Sequence, residues 1–314
     1  MPRCLHEGGA RSSGEGFFAP GVPGDAADAG CIGEEDGAAG AEKTRQSDPQ
    51  PSLCRHRGGR MKLSALIVAR NEQDRLPDCL ASLRFADEVV VVLDRTTDAS
   101  ADIARAAGAR VIEGGWELEG ERRNTGIDAC TGDWVLEVDA DERVSPDLAQ
   151  EIRATIQTSR YAWHQVPVDN YVGDRLVRHG WAGSFGTTSV PRLFRRGAKR
   201  WRMQRVHPGL DWTGTQGPKI TQGALIHLVD RDISDMLKRL DRYSTAKARD
   251  LLASGNIGSL AGNLRRFVSR GFKSYVPRRG YKEGAWGVLL AFCTGAFPLL
   301  SYLKARLEPG KHKE

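Results

Sequence analysis

The six cysteines of this 314-residue chain show no Cys-x-x-Cys spacing, and three of them (Cys4, Cys31 and Cys54) fall in the first 60 residues. That argues against a disulfide framework and against a structural zinc site, and it makes a reducing, cytoplasmic setting the default expectation. The start also lacks the apolar run of roughly 7–15 residues that a signal peptide places after a basic beginning. Residues 1–60 hold only six residues of the Leu, Ile, Val and Phe type, against 12 of the chain's 36 glycines. Such a segment cannot bury enough apolar surface to offset its ordering entropy, so it reads as a disordered extension. A strand pattern opens at Met61-Lys62-Leu63, which makes Met61 an alternative start. No internal repeat appears in the remainder.

Charge is unevenly placed. Residues 1–60 carry seven Lys/Arg and nine Asp/Glu, whereas residues 262–314 carry eleven against three. A basic segment can face nucleic acid or an anionic membrane, and its neighbour decides between them. That neighbour is Gly284–Leu303, twenty residues without a charge, flanked by Arg278, Arg279 and Lys282 before and by Lys304 and Arg306 after. About twenty apolar residues suffice to span a bilayer. Basic residues on both sides, three glycines and Pro298 fit a segment in the interface, or a re-entrant one, better than a simple span. The partner expected is an anionic membrane surface and no nucleic acid.

From residue 62 short apolar runs alternate with amphipathic stretches, the sign of β-α-β units and an α/β fold with a mainly parallel sheet. Strands are expected over 62–69, 88–93, 110–113 and 133–138, and helices over 72–83, 98–107, 120–130 and, opened by Ser145-Pro146, to about Gln157. The Val-rich run at 88–93 suits a strand covered on both faces. Further strands are expected at 161–172, 192–195 and 224–229, then helices at 232–253 and 260–275. His179-Gly180-Trp181 lies in a loop long enough to close over a ligand.

Open α/β sheets bind ligands beyond the carboxyl ends of their strands. After the first strand come Arg70, Asn71 and Glu72; after the second, Asp94 and then Asp98; after the fourth, Asp139, Asp141 and Glu142. Acidic groups gathered on one rim repel one another unless something neutralises them. Asp139 and Asp141, two apart on extended chain, leave on one face and suit a hard divalent cation, Mg²⁺ or Mn²⁺, completed by phosphate oxygens and water. His207 and His227 are candidates for a third ligand or for diphosphate contacts. Trp181, Trp201 and Trp212 suit either sugar stacking or packing.

The segments Ala65–Glu72, Val89–Asp94 with Thr97-Asp98, Arg122-Arg123-Asn124 and Asp139-Ala140-Asp141-Glu142 resemble the family 2 glycosyltransferases in order and spacing. Arg192–Gly197, Arg205-Val206-His207 and Leu225-Ile226-His227 resemble its bacterial lipopolysaccharide-core β-glucosyltransferase-like branch. The resemblance implies a GT-A domain over 61–230, followed by a basic, helical, membrane-associating region over 231–314. It implies an inverting transfer of a hexose from a nucleotide-sugar, UDP-sugar favoured, to a lipid-linked or cell-envelope glycan at the cytoplasmic face of the membrane. Arg70, Asn71, Glu72, Asp94, Asp98, Arg123, Asn124 and Asp139 would then bind the donor, while Asp139, Asp141 and His207 would hold the metal. Relatives often carry a Glu after the His of Arg-Val-His. Pro208 stands there, leaving Asp211 and Glu142 as candidates for the base that takes the acceptor proton.

Two other readings are open at this point. A nucleotidyltransferase shares the sheet and the need for Mg²⁺, but calls for a Gly-rich basic loop where Ala69-Arg70-Asn71-Glu72 stands. A non-catalytic nucleotide-sugar-binding or scaffold protein at the membrane is suggested by Pro208.

Overall fold

The computed structural model describes residues 59–182, 185–203 and 209–311. The expected extension, save Gly59 and Arg60, and the whole of Gln204–Pro208 lie outside these.

In chain order the strands are β1 (Leu63–Ala69), β2 (Glu88–Asp94), β3 (Arg110–Gly114), β4 (Trp134–Val138), β5 (Glu142–Val144), β6 (Trp163–Val172), β7 (Arg175–Val177), β8 (Ser189–Arg195), β9 (Lys199–Trp201), β10 (Leu210–Trp212) and β11 (Leu225–Asp230). The helices are α1 (Leu76–Ser82), α2 (Ser100–Ala106), α3 (Glu119–Ala129), α4 (Pro146–Thr158), α5 (Ile233–Ala253), α6 (Leu260–Tyr275) and α7 (Ala285–Leu307). Nine strands form one sheet in the order β3-β2-β1-β4-β8-β6-β11-β5, with β7 on β6. The first four are parallel; β8 runs antiparallel to both β4 and β6, and β11 runs parallel to β6. The fold is therefore the α/β, mainly parallel, helix-flanked architecture that the GT-A resemblance implies. Because two antiparallel steps separate β4 from β6, the strands β4, β6 and β11 all end on the same edge of the sheet.

Side-chain alternation explains the layers. Leu63, Ala65 and Ile67 of β1 bury against Leu76 and Leu80 of α1 and Leu148 and Ile152 of α4, while Leu66 points the other way, toward Ile127 of α3. A Cβ at Gly126 would stand 2.5 Å from Leu66 Cδ1, so the glycine sets how closely α3 approaches the sheet.

The long expected elements are present with small shifts, and the differences have local causes. The helix expected from residue 72 begins only at Leu76: Asn71 sits at φ 55°, turning the chain, and Pro77 enters in the first turn. Four strands absent from the sequence reading (β5, β7, β9 and β10) are three residues long, too short to carry a period of two. β5 exists because Leu225–His227 of β11 pairs with it.

A second core joins the C-terminal helices to the sheet. Val172 of β6, Val177 of β7, Trp181 and Phe185 pack with Met236 and Leu240 of α5 and with Leu290, Cys293 and Phe297 of α7. Arg239 of α5 holds Asp230, at the end of β11, through two hydrogen bonds of 2.9 and 2.8 Å. The loop 178–182 is pinned rather than free to close. Glu283 Oε1 accepts from the backbone N–H of Arg178 and of His179, each at 3.0 Å, and Gly180 N–H donates to Arg278 O at 3.0 Å.

The small β9–β10 ribbon is tied to the sheet by one buried ion pair, Lys199 with Glu137 of β4. Phe194, Trp201 and Trp212 present their rings to the ammonium at 5.0–5.5 Å. Burial pulls Lys199 down to about 8, with Glu137 opposing the fall. Removing one partner strands the other charge. Lys199→Ala is expected to lower the unfolding free energy by about 3–5 kcal/mol, and Lys199→Met combined with Glu137→Leu by much less; urea titration of the three proteins measures both.

Candidate functional site

The carboxylates expected on the rim do converge at the strand ends, but guanidinium and imidazole groups already neutralise most of them. The chain leaves β4 at Asp139 and turns tightly into β5: Glu142 N–H donates to Asp139 O and Asp139 N–H donates to Glu142 Oε2, each at 2.9 Å. Arg192, projecting from the middle of β8, reaches both acids, with Nη1 on Glu142 Oε2 at 2.9 Å and Nη2 on Asp139 Oδ2. Arg123 of α3 adds a contact of 3.9 Å to Asp139 Oδ1 and pairs with Glu119 at 2.9 Å.

The three acids thereby acquire different characters. Burial works against the Asp139 carboxylate, but Arg192 and Arg123 outweigh it and hold its pKa well below the usual range. Glu142 is 2 % exposed. Burial, reinforced by the Asp139 charge and opposed by Arg192, pushes it up to about 7. Asp141 is 22 % exposed and lies 3.5 Å from His227 Nε2 and 3.7 Å from Arg75 Nη1. Burial opposes its charge too, yet the His227 contact leaves its pKa lowered.

His227 is oriented from behind. Asn170 of β6 donates its amide N–H to Thr187 O at 2.9 Å, which turns Oδ1 toward His227 Nδ1, also at 2.9 Å. The Nδ1 proton is thus engaged and Nε2 faces Asp141; burial disfavours the charged ring, but Asp141 outweighs it and raises the His227 pKa, so a metal at Nε2 would take the place of a proton. Among the described residues no three His, Cys, Asp or Glu groups converge as a cation cage. Asp141 and His227 suit a cation that takes its remaining ligands from phosphate and water, as Mg²⁺ commonly does. His207, expected as a ligand, lies outside the described residues.

The residues after β1 and β2 build the adjoining wall. Asn71 Oδ1 accepts from Thr97 N–H at 2.8 Å. Asp98 caps α2 through Ser100 N–H and anchors Gln73 N–H, each at 3.0 Å, so both oxygens bind backbone. Asp94 accepts from Trp116 N–H at 3.1 Å and from Arg122 Nη1 at 3.2 Å. Glu72 is pushed up to about 7, chiefly by burial, with Arg75 opposing and Asp141 adding. Arg70 follows directly after β1. Asn124 faces elsewhere: it donates to Trp201 O at 2.8 Å and accepts from Trp201 N–H at 3.0 Å, clamping β9 onto α3. Asp211 is 57 % exposed on β10, paired with Arg202, and makes none of the contacts of the Asp139–Glu142 turn. Trp181 and Trp201 are buried, and Trp212 stacks on Trp163 at 4.5 Å, so all three serve packing.

Sequence reasoning missed Arg192, Arg75 and Asn170. The available signal for Arg192 was a cation in the middle of an otherwise apolar stretch of β8, Val190-Pro191-Arg192-Leu193-Phe194, where burial demands an acidic partner.

The family description Glycosyl transferase family 2 matches residues 64–211. A protein of Rickettsia bellii, described as an uncharacterized glycosyltransferase, is 35% identical over 266 residues, 77% of this chain and 86% of its own. The lipopolysaccharide core biosynthesis glycosyltransferase LpsC of Rhizobium meliloti is 27% identical over 213 residues, 62% of this chain and 74% of its own. Among solved structures, S. aureus TarS superposes with a TM-score of 0.41 at 15% identity over 58% of this chain, which spans 40% of that one.

Arg192→Met would leave buried Glu142 and partly buried Asp139 without the cation they share. The expected loss of unfolding free energy is about 3–5 kcal/mol at neutral pH, with part recovered by adding Glu142→Gln. Urea denaturation of single and double variants tests this, and an unrecovered loss would show that Arg192 acts by packing alone.

Proposed function

Because this chain belongs to glycosyl transferase family 2, an enzyme family, we propose that it is an inverting hexosyltransferase moving a sugar from a UDP-sugar to a lipid-linked or cell-envelope glycan. The observation that carries the reading is the Asp139–Glu142 turn with Arg192 and His227 around it, set at the carboxyl edge of a parallel sheet. The lipopolysaccharide-core role in the name of LpsC supports an envelope glycan as acceptor.

The roles divide by position. Arg70, Asn71, Glu72 and Asp94 line the wall for the nucleoside, with Asp98 holding that wall in shape. Arg123 and Asp139 flank the ribose and diphosphate, and Asn124 acts behind them by fixing β9 against α3. Asp141 and His227 would hold Mg²⁺ or Mn²⁺, which when bound neutralises charge on the departing diphosphate. Glu142 serves as a positioning residue, since both its contacts fix Arg192 and the turn. With Glu142 held in that role, Asp211, paired with Arg202 outside the turn, is the remaining candidate to take the acceptor proton and would have to leave that pair to do so. In the transfer the acceptor hydroxyl oxygen bonds to the anomeric carbon from the face opposite the phosphate. The bond from that carbon to the phosphate oxygen breaks, and the nucleoside diphosphate leaves with the electron pair.

The two rivals fare unequally. Nucleotidyl transfer would need phosphate-cradling backbone after β1, and the chain there is Arg70-Asn71-Glu72 with Asn71 bonded to Thr97. A scaffold would gain nothing from gathering Asp141, His227 and Arg75 at the end of a strand.

Incubating the full chain with UDP-sugars and Mn²⁺ should release UDP slowly by donor hydrolysis. Asp141→Ala is expected to abolish that release, and an unchanged rate would remove Asp141 from the site. With an acceptor in hand, Asp211→Asn should lower kcat by about 10²–10⁴-fold while leaving UDP affinity unchanged. Equal loss in UDP binding would instead assign Asp211 to donor binding.

A further inference from the structure

α6 and α7 lie antiparallel in close contact. A Cβ at Gly271 would meet Ala291 O at 3.3 Å, and one at Gly295 would meet Phe267 O at 2.6 Å. α6 turns its buried side inward: Phe267 packs on the core that includes α7, Asn263 is buried, and Ser274 Oγ donates to Gly180 O at 2.5 Å. Its next side carries Leu260, Leu264, Val268 and Phe272 at intervals of four, which places them in one row along the helix. All four are exposed, Val268 to 67% and Phe272 to 58%. Val288 and Phe292 of α7, exposed to 55% and 52%, extend the row sideways, and Phe292 meets Phe267 edge-on at 6.2 Å.

A contiguous apolar face of this kind marks an interaction site. What covers it is indicated by charge. Residues 260–282 hold seven Lys/Arg and no Asp/Glu. On the α6 wheel Arg265, Ser269, Lys273 and Arg266 occupy the arc beside the apolar row. Apolar side chains flanked by cations on one helix match the acyl and phosphate layers of an anionic leaflet. A second copy of the chain is disfavoured, because a self-complementary contact would set this cationic border against itself.

We propose that α6 lies in the plane of an anionic bilayer, its Leu260–Phe272 row and the Val288–Phe292 edge of α7 immersed, and that α7 does not cross. α7 is the one helix among the described residues long and apolar enough to span. However, 61% of its apolar stretch is already buried in the protein, against α5, α6 and Trp181. Pro298 sits on that buried side. The immersed face also has a fixed relation to the site. β6 and β11, which supply Asn170 and His227, end on the edge from which the chain passes to the loop docked on α7 and to α5. A lipid-linked acceptor would therefore be held near the catalytic edge. This last step rests on the proposed function, whereas the membrane contact does not.

The test is flotation of the full chain with vesicles of phosphatidylcholine alone and of phosphatidylcholine with phosphatidylglycerol. Binding is expected to the mixed vesicles and to weaken with salt. Val268→Asp with Phe272→Asp should reduce it by about tenfold or more. Arg265→Glu and Lys273→Glu should each reduce it severalfold, in the mixed vesicles only. Alkaline carbonate should release the bound protein. Resistance to carbonate would mean that α7 spans, and undiminished binding by the Asp double variant would mean that another surface docks; either overturns the proposal. A concentration-dependent dimer that the Asp double variant breaks, without vesicle binding, would assign the face to a second copy instead. UDP-sugar binding in solution, followed by thermal shift, should be equal in wild type and all four substitutions. It separates failure of the membrane contact from failure of the donor reading.

Discussion

The structure turns on the neutralisation of buried negative charge at one sheet edge. A strand end that carries Asp139, Asp141 and Glu142 cannot be enclosed unless cations come with it, because each unpaired carboxylate would cost several kcal/mol. Arg192 meets that need for two of the three acids, and it does so from β8, the strand that reverses direction between the parallel half of the sheet and β6. The ion pairs thus fix the register in which the two halves meet. Asp141 is left with weaker partners, His227 and Arg75, at 3.5 and 3.7 Å. The same arrangement that stabilises the turn leaves one carboxylate available to a cation.

The other consequence concerns the C-terminal helices. Glu283, at the entrance to α7, binds two backbone N–H groups and the imidazole Nδ1 of the 178–179 loop. Arg239 binds the end of β11. Both contacts join the C-terminal helices to the sheet, the first through the loop after β7 and the second through β11, which carries His227. A loop that the sequence allows to swing is instead held against α7, since its polar groups bond Glu283 and Arg278 and Trp181 packs in the core with Leu290.

Much of this was legible in the sequence because its signals are periodic or local. The Val-rich β2 and the Ser145-Pro146 entry to α4 are each readable from a few neighbouring residues. The acidic rim was legible because strand ends in a parallel sheet share an edge. What could not be read were contacts between distant segments: Arg192 to Asp139 spans 53 residues, Lys199 to Glu137 spans 62 and Asn124 to Trp201 spans 77. No local pattern encodes such partners. Asn124 illustrates the point, since its place beside two arginines suggested a ligand contact while its amide closes on a backbone. The short strands β9 and β10 escaped for the opposite reason, having too few residues to show a pattern.

Gly180, Gly280 and Gly287 meet where the loop crosses the start of α7; a Cβ at Gly287 would fall 1.8 Å from Gly280 O, and one at Gly180 would fall 3.2 Å from Gly280 Cα. Backbones in such contact cannot be parted without opening the core of Val177, Trp181 and Leu290 beneath them. Cutting the chain before α6 to obtain a well-behaved fragment would therefore uncover Val177, Trp181, Met236 and Leu240, which pack in the same core as α7. Recoding the outward residues of α6 is the sounder route to handling this protein in water.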